Sequence, residues 1–190
     1  MSKMTKVLIG IAGIFLISIV WVVSVNNSLV RKEETVTSSW SQVENVYQRR
    51  MDLIPNLVNT VKGYAKHEKE TLENVIRARN TAIQAQSSGL PSAVQKTQDG
   101  LSSALSRLMV VVEKYPDLKA NENFRDLQSQ LEGTENRIAV ERRRFNEVVQ
   151  DYNSSLKVFP QSMIASFRGF KPKDYFQAKA GAEEAPKVEF

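Results

Sequence analysis

The chain has 190 residues, a formal net charge of +5 and no cysteine. The missing thiols exclude disulfides and thiolate chemistry, and eight singly scattered glycines leave no phosphate-binding loop. Acidic and basic residues are interleaved rather than gathered into a patch or arm, so no nucleic-acid partner is expected.

The first element is the stretch Val7 to Val25, nineteen consecutive uncharged and mostly apolar residues. As a helix it spans roughly 28 Å, close to the hydrocarbon thickness of a bilayer. A cleaved signal peptide shares the basic start, here Lys3 and Lys6, but has a shorter apolar region. The length and the Ile and Val content favour an uncleaved anchor, a transmembrane helix over 7–25 within a membrane segment of residues 1–28. Trp21 suits an interfacial aromatic anchor. Lys3, Lys6 and the α-amino group precede the helix, and Arg31 and Lys32 follow it. That bias leans toward an N-terminus inside and a C-terminal domain outside the cytoplasm.

From Val36 apolar residues recur in steps of four and three: Val36, Trp40, Val43, Tyr47, then Ile54, Leu57, Val61 and Tyr64. Such spacing puts one stripe on one helix face. Ser39 with Gln42 and Ser41 with Glu44 read as capping boxes, offering a helix start there. Pro55 predicts a kink or the end of a segment. After a weak stretch at Gly63 to Glu70 the pattern resumes with Leu72, Val75, Ile76, Ala82 and Ile83, and residues 87–92 form a loop. Leu90, Val94, Leu101, Leu105, Leu108 and Val112 mark the next helix, stopped at Tyr115-Pro116. The clearest stripe runs from Ala120 to Phe159, with Pro160 as its stop. No segment alternates with period two. The predicted fold is all-α: the transmembrane helix, then an up-and-down four-helix bundle over residues 29–165. A partly ordered tail over 166–190 completes the chain, broken by Gly169, Pro172, Gly181 and Pro186.

Few residues carry chemistry. His67 is the sole histidine, so neither a di-iron bundle nor a His-Glu-x-x-His zinc site is complete. His67 with Glu68, Glu70 and Glu73 could hold a stray ion, but Lys66 and Lys69 favour a solvated turn. No G-x-S-x-G elbow is present. Neither an enzyme nor a bound cofactor or metal is expected. Arg142, Arg143 and Arg144 form the densest basic cluster and fan around their helix. A solvated face with cross-helix ion pairs, each worth little at a surface, is favoured over a phosphate or headgroup site. Arg49 and Arg50 are placed to pair with acidic residues of the last helix. Arg50 falls where the stripe expects an apolar residue, either paired internally or open to a partner.

The stretch W-S-Q-V-E-N-V-Y-Q-R-R-M-D-L-I-P-N-L-V from Trp40 to Val58 resembles the signature of the LemA family. So do V-K-G-Y-A-K-H-E from Val61, T-L-E-N-V-I-R-A-R from Thr71 and E-N-R-I-A-V-E-R-R-R-F-N-E-V-V-Q-D-Y-N from Glu135. Phe159-Pro160, Tyr175-Phe176 and the terminal P-K-V-E-F continue the likeness. The resemblance implies a bacterial single-pass membrane protein with a helical bundle and supplies no catalytic or cofactor residues. It also implies a short N-terminus outside the cytoplasm, opposite to the charge bias. Some relatives are linked to membrane remodelling around bacterial organelles.

The leading expectation is a non-enzymatic scaffold or adaptor in the bacterial inner membrane, its bundle on the extracytoplasmic side and its partner a membrane or membrane-proximal protein. Arg50, Asn56, Arg142, Arg143, Arg144, Phe170, Tyr175 and Phe176 are the candidate partner or lipid surface. Asn45, Gln48, Asn56, Asn136 and Asn146 either recognise a partner or bridge and cap helices. The alternatives are a homo-oligomer that organises or curves the membrane, and a small-ligand or metal-binding bundle. For the tail, Phe167, Phe170, Tyr175 and Phe176 among Arg168, Lys171 and Lys173 either lie on headgroups or fold back on protein. Glycine and proline break any long amphipathic helix there, which favours docking on protein.

Overall fold

The computed structural model describes residues 3–177. These form six α-helices: α1 Lys3–Tyr64, α2 Lys69–Gln86, α3 Pro91–Val112, α4 Pro116–Ala120, α5 Glu122–Ser155 and α6 Gln161–Arg168. No strand occurs among the described residues. The residues 178–190 of the expected tail, with the terminal P-K-V-E-F, lie outside the described residues.

Helix α1 does not restart at Ser39 or Ser41. No glycine or proline stands between Gly13 and Pro55, so nothing interrupts propagation once the helix has formed. Pro55 sits inside α1 without ending it. It removes one backbone donor, while its neighbours Ile54 and Leu57 are wholly buried. Other boundaries are local. Pro91 and Pro116 open α3 and α4 at the position where a missing N–H costs nothing. Asn121 caps α5, its Oδ1 accepting from the Phe124 N–H at 3.0 Å. The chain divides into two compact units, Met1–Trp40 with Arg144–Lys173 and Ser41–Arg143 with Asp174–Phe190.

In the first unit, the apolar stretch of α1 is long and apolar enough to cross a membrane, and protein covers none of its most apolar window. Just beyond it, Val25 and Leu29 pack with Ala165 of α6, joined by Leu156, Ile164 and Phe170. Here α1 and α5 run antiparallel. Trp40 meets Phe145 edge-to-face with centroids 5.5 Å apart, and farther back along α1 the Lys32 Nζ meets Asp151 at 2.8 Å.

The second unit is the helical bundle. Its buried apolar residues are Val43, Tyr47, Met51, Ile54, Leu57 and Val61 of α1, Val75 and Ala82 of α2, Leu101 and Leu108 of α3 and Phe124 and Ile138 of α5. The Arg79 Nε–H donates to the Met51 carbonyl (2.8 Å) and the Gln86 amide to the Glu44 carbonyl (3.3 Å). Partners ascend α2 as they descend α1, so the two are antiparallel. The same order holds for α1 and α5, where Asn121 donates to the Tyr64 hydroxyl and Arg50 pairs with Glu135.

Candidate functional site

Two features of the second unit stand apart from ordinary bundle packing. The first is a polar layer inside the core. The seam of α1 steps through Val43, Tyr47, Arg50, Ile54, Leu57 and Val61, with Arg50 in an apolar slot and 5% exposed. On α3, Gln98 takes the slot between Val94 and Leu101; on α5, Thr134 takes that between Leu131 and Ile138. Both are 2% exposed. The Arg50 Nη2 donates to the Ser102 Oγ at 2.9 Å. Its Nη1 faces the Glu135 Oε2 at 2.9 Å, an ion pair off the line of a hydrogen bond. The Arg50 Nε, the Tyr47 hydroxyl and both polar atoms of the Gln98 amide have no partner.

Burial governs the electrostatics. It pushes the Tyr47 hydroxyl up to about 12, against the pull of Arg142, because the phenolate would lose its water. It lowers Arg50, with Glu135 opposing. A cavity of about 270 Å³ opens beside this layer, lined by Arg50, Ser102, Ser106, Gln128, Glu132 and Glu135 among others. The layer provides charge and hydrogen-bond donors but no nucleophile with an adjacent base. His67 is exposed in the turn after α1. Among the described residues no cluster of three or more His, Cys, Asp or Glu is placed to hold a metal.

The second feature is a groove of about 470 Å³ between α1 and α2. Val58, Ala65, Leu72 and Ile76 are its apolar lining. Lys62, Lys66, Lys69 and Arg77 stand around it, with Glu73 as the one acidic side chain of the lining. Glu73 meets Lys69 at 3.7 Å.

The tail lies back on protein by the same device in each unit. In the first, the Asn153 amide donates to the Lys173 carbonyl (2.8 Å) and accepts from the Lys173 N–H (2.9 Å). The Tyr152 hydroxyl donates to the Lys171 carbonyl, and Lys173 pairs with Glu33 at 2.7 Å. In the second, the Gln95 amide makes the same reciprocal pair with the Gln177 backbone at 2.9 and 3.0 Å. Phe176 is buried there, with the Arg142 guanidinium 4.8 Å from its ring centroid.

The sequence-predicted residues therefore scatter. Arg50 is internal and paired, and Arg142 and Phe176 come together. Phe170 packs beside Val25 and Leu29, and Asn56, Arg143, Arg144 and Tyr175 are on the surface. Asn45 and Asn136 are exposed, and Gln48 donates within its own helix to Asp52. Sequence reasoning missed Gln98, which the seam test applied to Arg50 would have found. It also missed the groove, which is lined from two helices and has no signature in either alone.

These features define an all-α protein whose N-terminal helix is long and apolar enough to cross a membrane and whose remaining helices form a bundle. Residues 39–190 match the model of the LemA family, and the chain belongs to that family. It is 27% identical over 180 residues to magnetosome protein MamQ 2 of Paramagnetospirillum magneticum, covering 83% of this chain and 66% of that protein. Magnetosome protein MamQ of Magnetospirillum gryphiswaldense is 26% identical over 180 residues with the same shares. Protein LemA of Metamycoplasma hominis is 24% identical over 139 residues, 73% of this chain and 63% of that protein. The chain thus spans just under two thirds of the length of these relatives.

Proposed function

We propose that this protein is a non-enzymatic adaptor, held in the bacterial inner membrane by α1. Its bundle faces the extracytoplasmic side, and its α1–α2 groove receives an acidic amphipathic helix of a protein partner. The groove carries this function. Its apolar lining of Val58, Ala65, Leu72 and Ile76 offers area for the buried stripe of a helix, and four cations against one carboxylate demand acidic flanks. Helix-in-groove docking uses this division of labour, apolar anchors for affinity and rim charge for encounter and orientation.

A photo-crosslinking side chain at Asn80, exposed at the groove edge, tests this in cells with the full-length chain. It is expected to trap one foreign protein through an acidic helical segment mapped by mass spectrometry. Lys62→Glu with Lys66→Glu is expected to abolish the adduct. Adducts only to further copies of this chain would point to self-assembly instead, and adducts indifferent to the charge reversal would reject the groove.

A further inference from the structure

The first unit carries an apolar surface that the anchor-and-groove account leaves unused. One face of α6 is seated on α1 through Ala165 and Ile164 against Val25 and Leu29, and the Arg168 Nε donates to the Asn26 Oδ1 at 3.0 Å. The opposite side is bare. Phe159 is 76% exposed, Met163 65% and Phe167 90%. Met163 and Phe167 are one turn apart on α6, so they share a face, and Phe159 leads into it. A groove of about 570 Å³ continues this surface onto Val22 and Val23, the last turn of the apolar run of α1.

We propose that α6 and the turn before it form a second membrane contact, a short amphipathic element lying in the interfacial plane beside the point where α1 leaves the bilayer. Continuity argues for lipid as the occupant: Val22 and Val23 belong to the stretch that spans the hydrocarbon, and Met163 and Phe167 border the same groove. Charge argues for anionic headgroups. From Tyr152 to Lys173 the chain has four basic residues and no Asp or Glu. Of these, Lys157, Arg168 and Lys171 are exposed. An apolar face in a stretch whose charges are all basic is the composition of helices that lie on membranes, and a contiguous exposed apolar patch marks an interaction surface. The inference rests on the apolar helix alone and is independent of the α1–α2 groove.

The cysteine-free chain permits a clean test. Full-length protein with Met163→Cys carries an environment-sensitive fluorophore and is reconstituted into vesicles of phosphatidylcholine and phosphatidylglycerol. The emission is expected to shift to the blue and to be quenched by lipid bearing a nitroxide near its headgroup. Aqueous iodide is expected to quench it several-fold less than the same label at Gln150→Cys, an exposed position of α5. Phe167→Cys repeats the measurement from the adjacent turn. Iodide access equal to that at Gln150, or no quenching by the nitroxide lipid, would overturn the proposal. So would protection that vanishes as the protein is diluted in the membrane, because a second copy would then be the cover.

Discussion

Tyr47 and Arg50 stand one helical turn apart in the seam of α1, yet removing them has opposite consequences. The Tyr47 hydroxyl is buried without a partner, so Tyr47→Phe strips off a desolvated group and orphans nothing. It is expected to hold stability or raise it by about 1 kcal/mol in denaturant unfolding. Its titration adds a second signature. The unfolded hydroxyl releases its proton near pH 10, whereas the folded one holds it to about 12. Stability is therefore untouched by this titration below pH 10 and falls between pH 10 and about 12, where the unfolded state alone releases the proton. The loss reaches roughly 2–3 kcal/mol, and Tyr47→Phe should remove that part of the alkaline slope. Arg50 is asymmetric with its partner. Glu135→Ala leaves a buried guanidinium unpaired and is expected to cost about 2–3 kcal/mol, the low side for buried pairs because the Glu135 side chain is 46% exposed. Arg50→Met fills the apolar slot, and the half-exposed Glu135 side chain can turn its carboxylate to water, so the cost should be under about 1 kcal/mol. A thermal melt in which Arg50→Met loses more than Glu135→Ala would contradict this. Arg50 was legible in the sequence because it interrupts a regular stripe. Its partner was not, because choosing Glu135 among the carboxylates of α5 needs the register between two helices far apart in the chain.

Among the elements, the long helices were legible for a simple reason. Over eighteen or more residues the alternation of fours and threes has room to declare its period. Helix α6 has eight residues, too few for a period, and glycine and proline nearby argued only against a long amphipathic helix. Those residues in fact delimit it. Gly169, at φ +77°, closes α6 in the left-handed conformation, while the Phe170 N–H returns to the Ala165 carbonyl at 3.0 Å. The docking of the tail on protein was the favoured reading of the sequence, but the residues that anchor it were hidden for a different reason. Asn153 and Gln95 bind backbone groups of Lys173 and Gln177, and a backbone group leaves no mark on composition. Such paired contacts hold an extended segment whatever its side chains. Asn153→Ala deletes both hydrogen bonds and leaves the Lys173 amide to water. An expected loss of about 1–2 kcal/mol should come with faster hydrogen exchange at the Lys173 amide, while amides of the α5 interior keep their protection.

At the scale of the whole molecule the governing fact is a single apolar segment in a chain that is otherwise strongly polar. Deleting residues 7–25 is expected to move the protein from the alkali-resistant membrane fraction to the soluble one, since no second described helix is long and apolar enough to cross a membrane. The side on which the bundle stands then depends on few charges. Lys3, Lys6 and the α-amino group lie before the apolar run, Arg31 and Lys32 after it. Glu33 and Glu34 carry little weight in this balance, because orientation follows Lys and Arg rather than net charge. The proposed extracytoplasmic bundle makes Asn136, exposed on α5, reachable from outside. With no native thiol to compete, Asn136→Cys should react with a membrane-impermeant maleimide in intact spheroplasts. Adding two lysines between Asn27 and Val30 should reverse the outcome, so that labelling requires permeabilised membranes. Labelling of the unmodified balance only after permeabilisation would place the bundle in the cytoplasm, and the acidic helix proposed for the α1–α2 groove would then have to belong to a cytoplasmic protein.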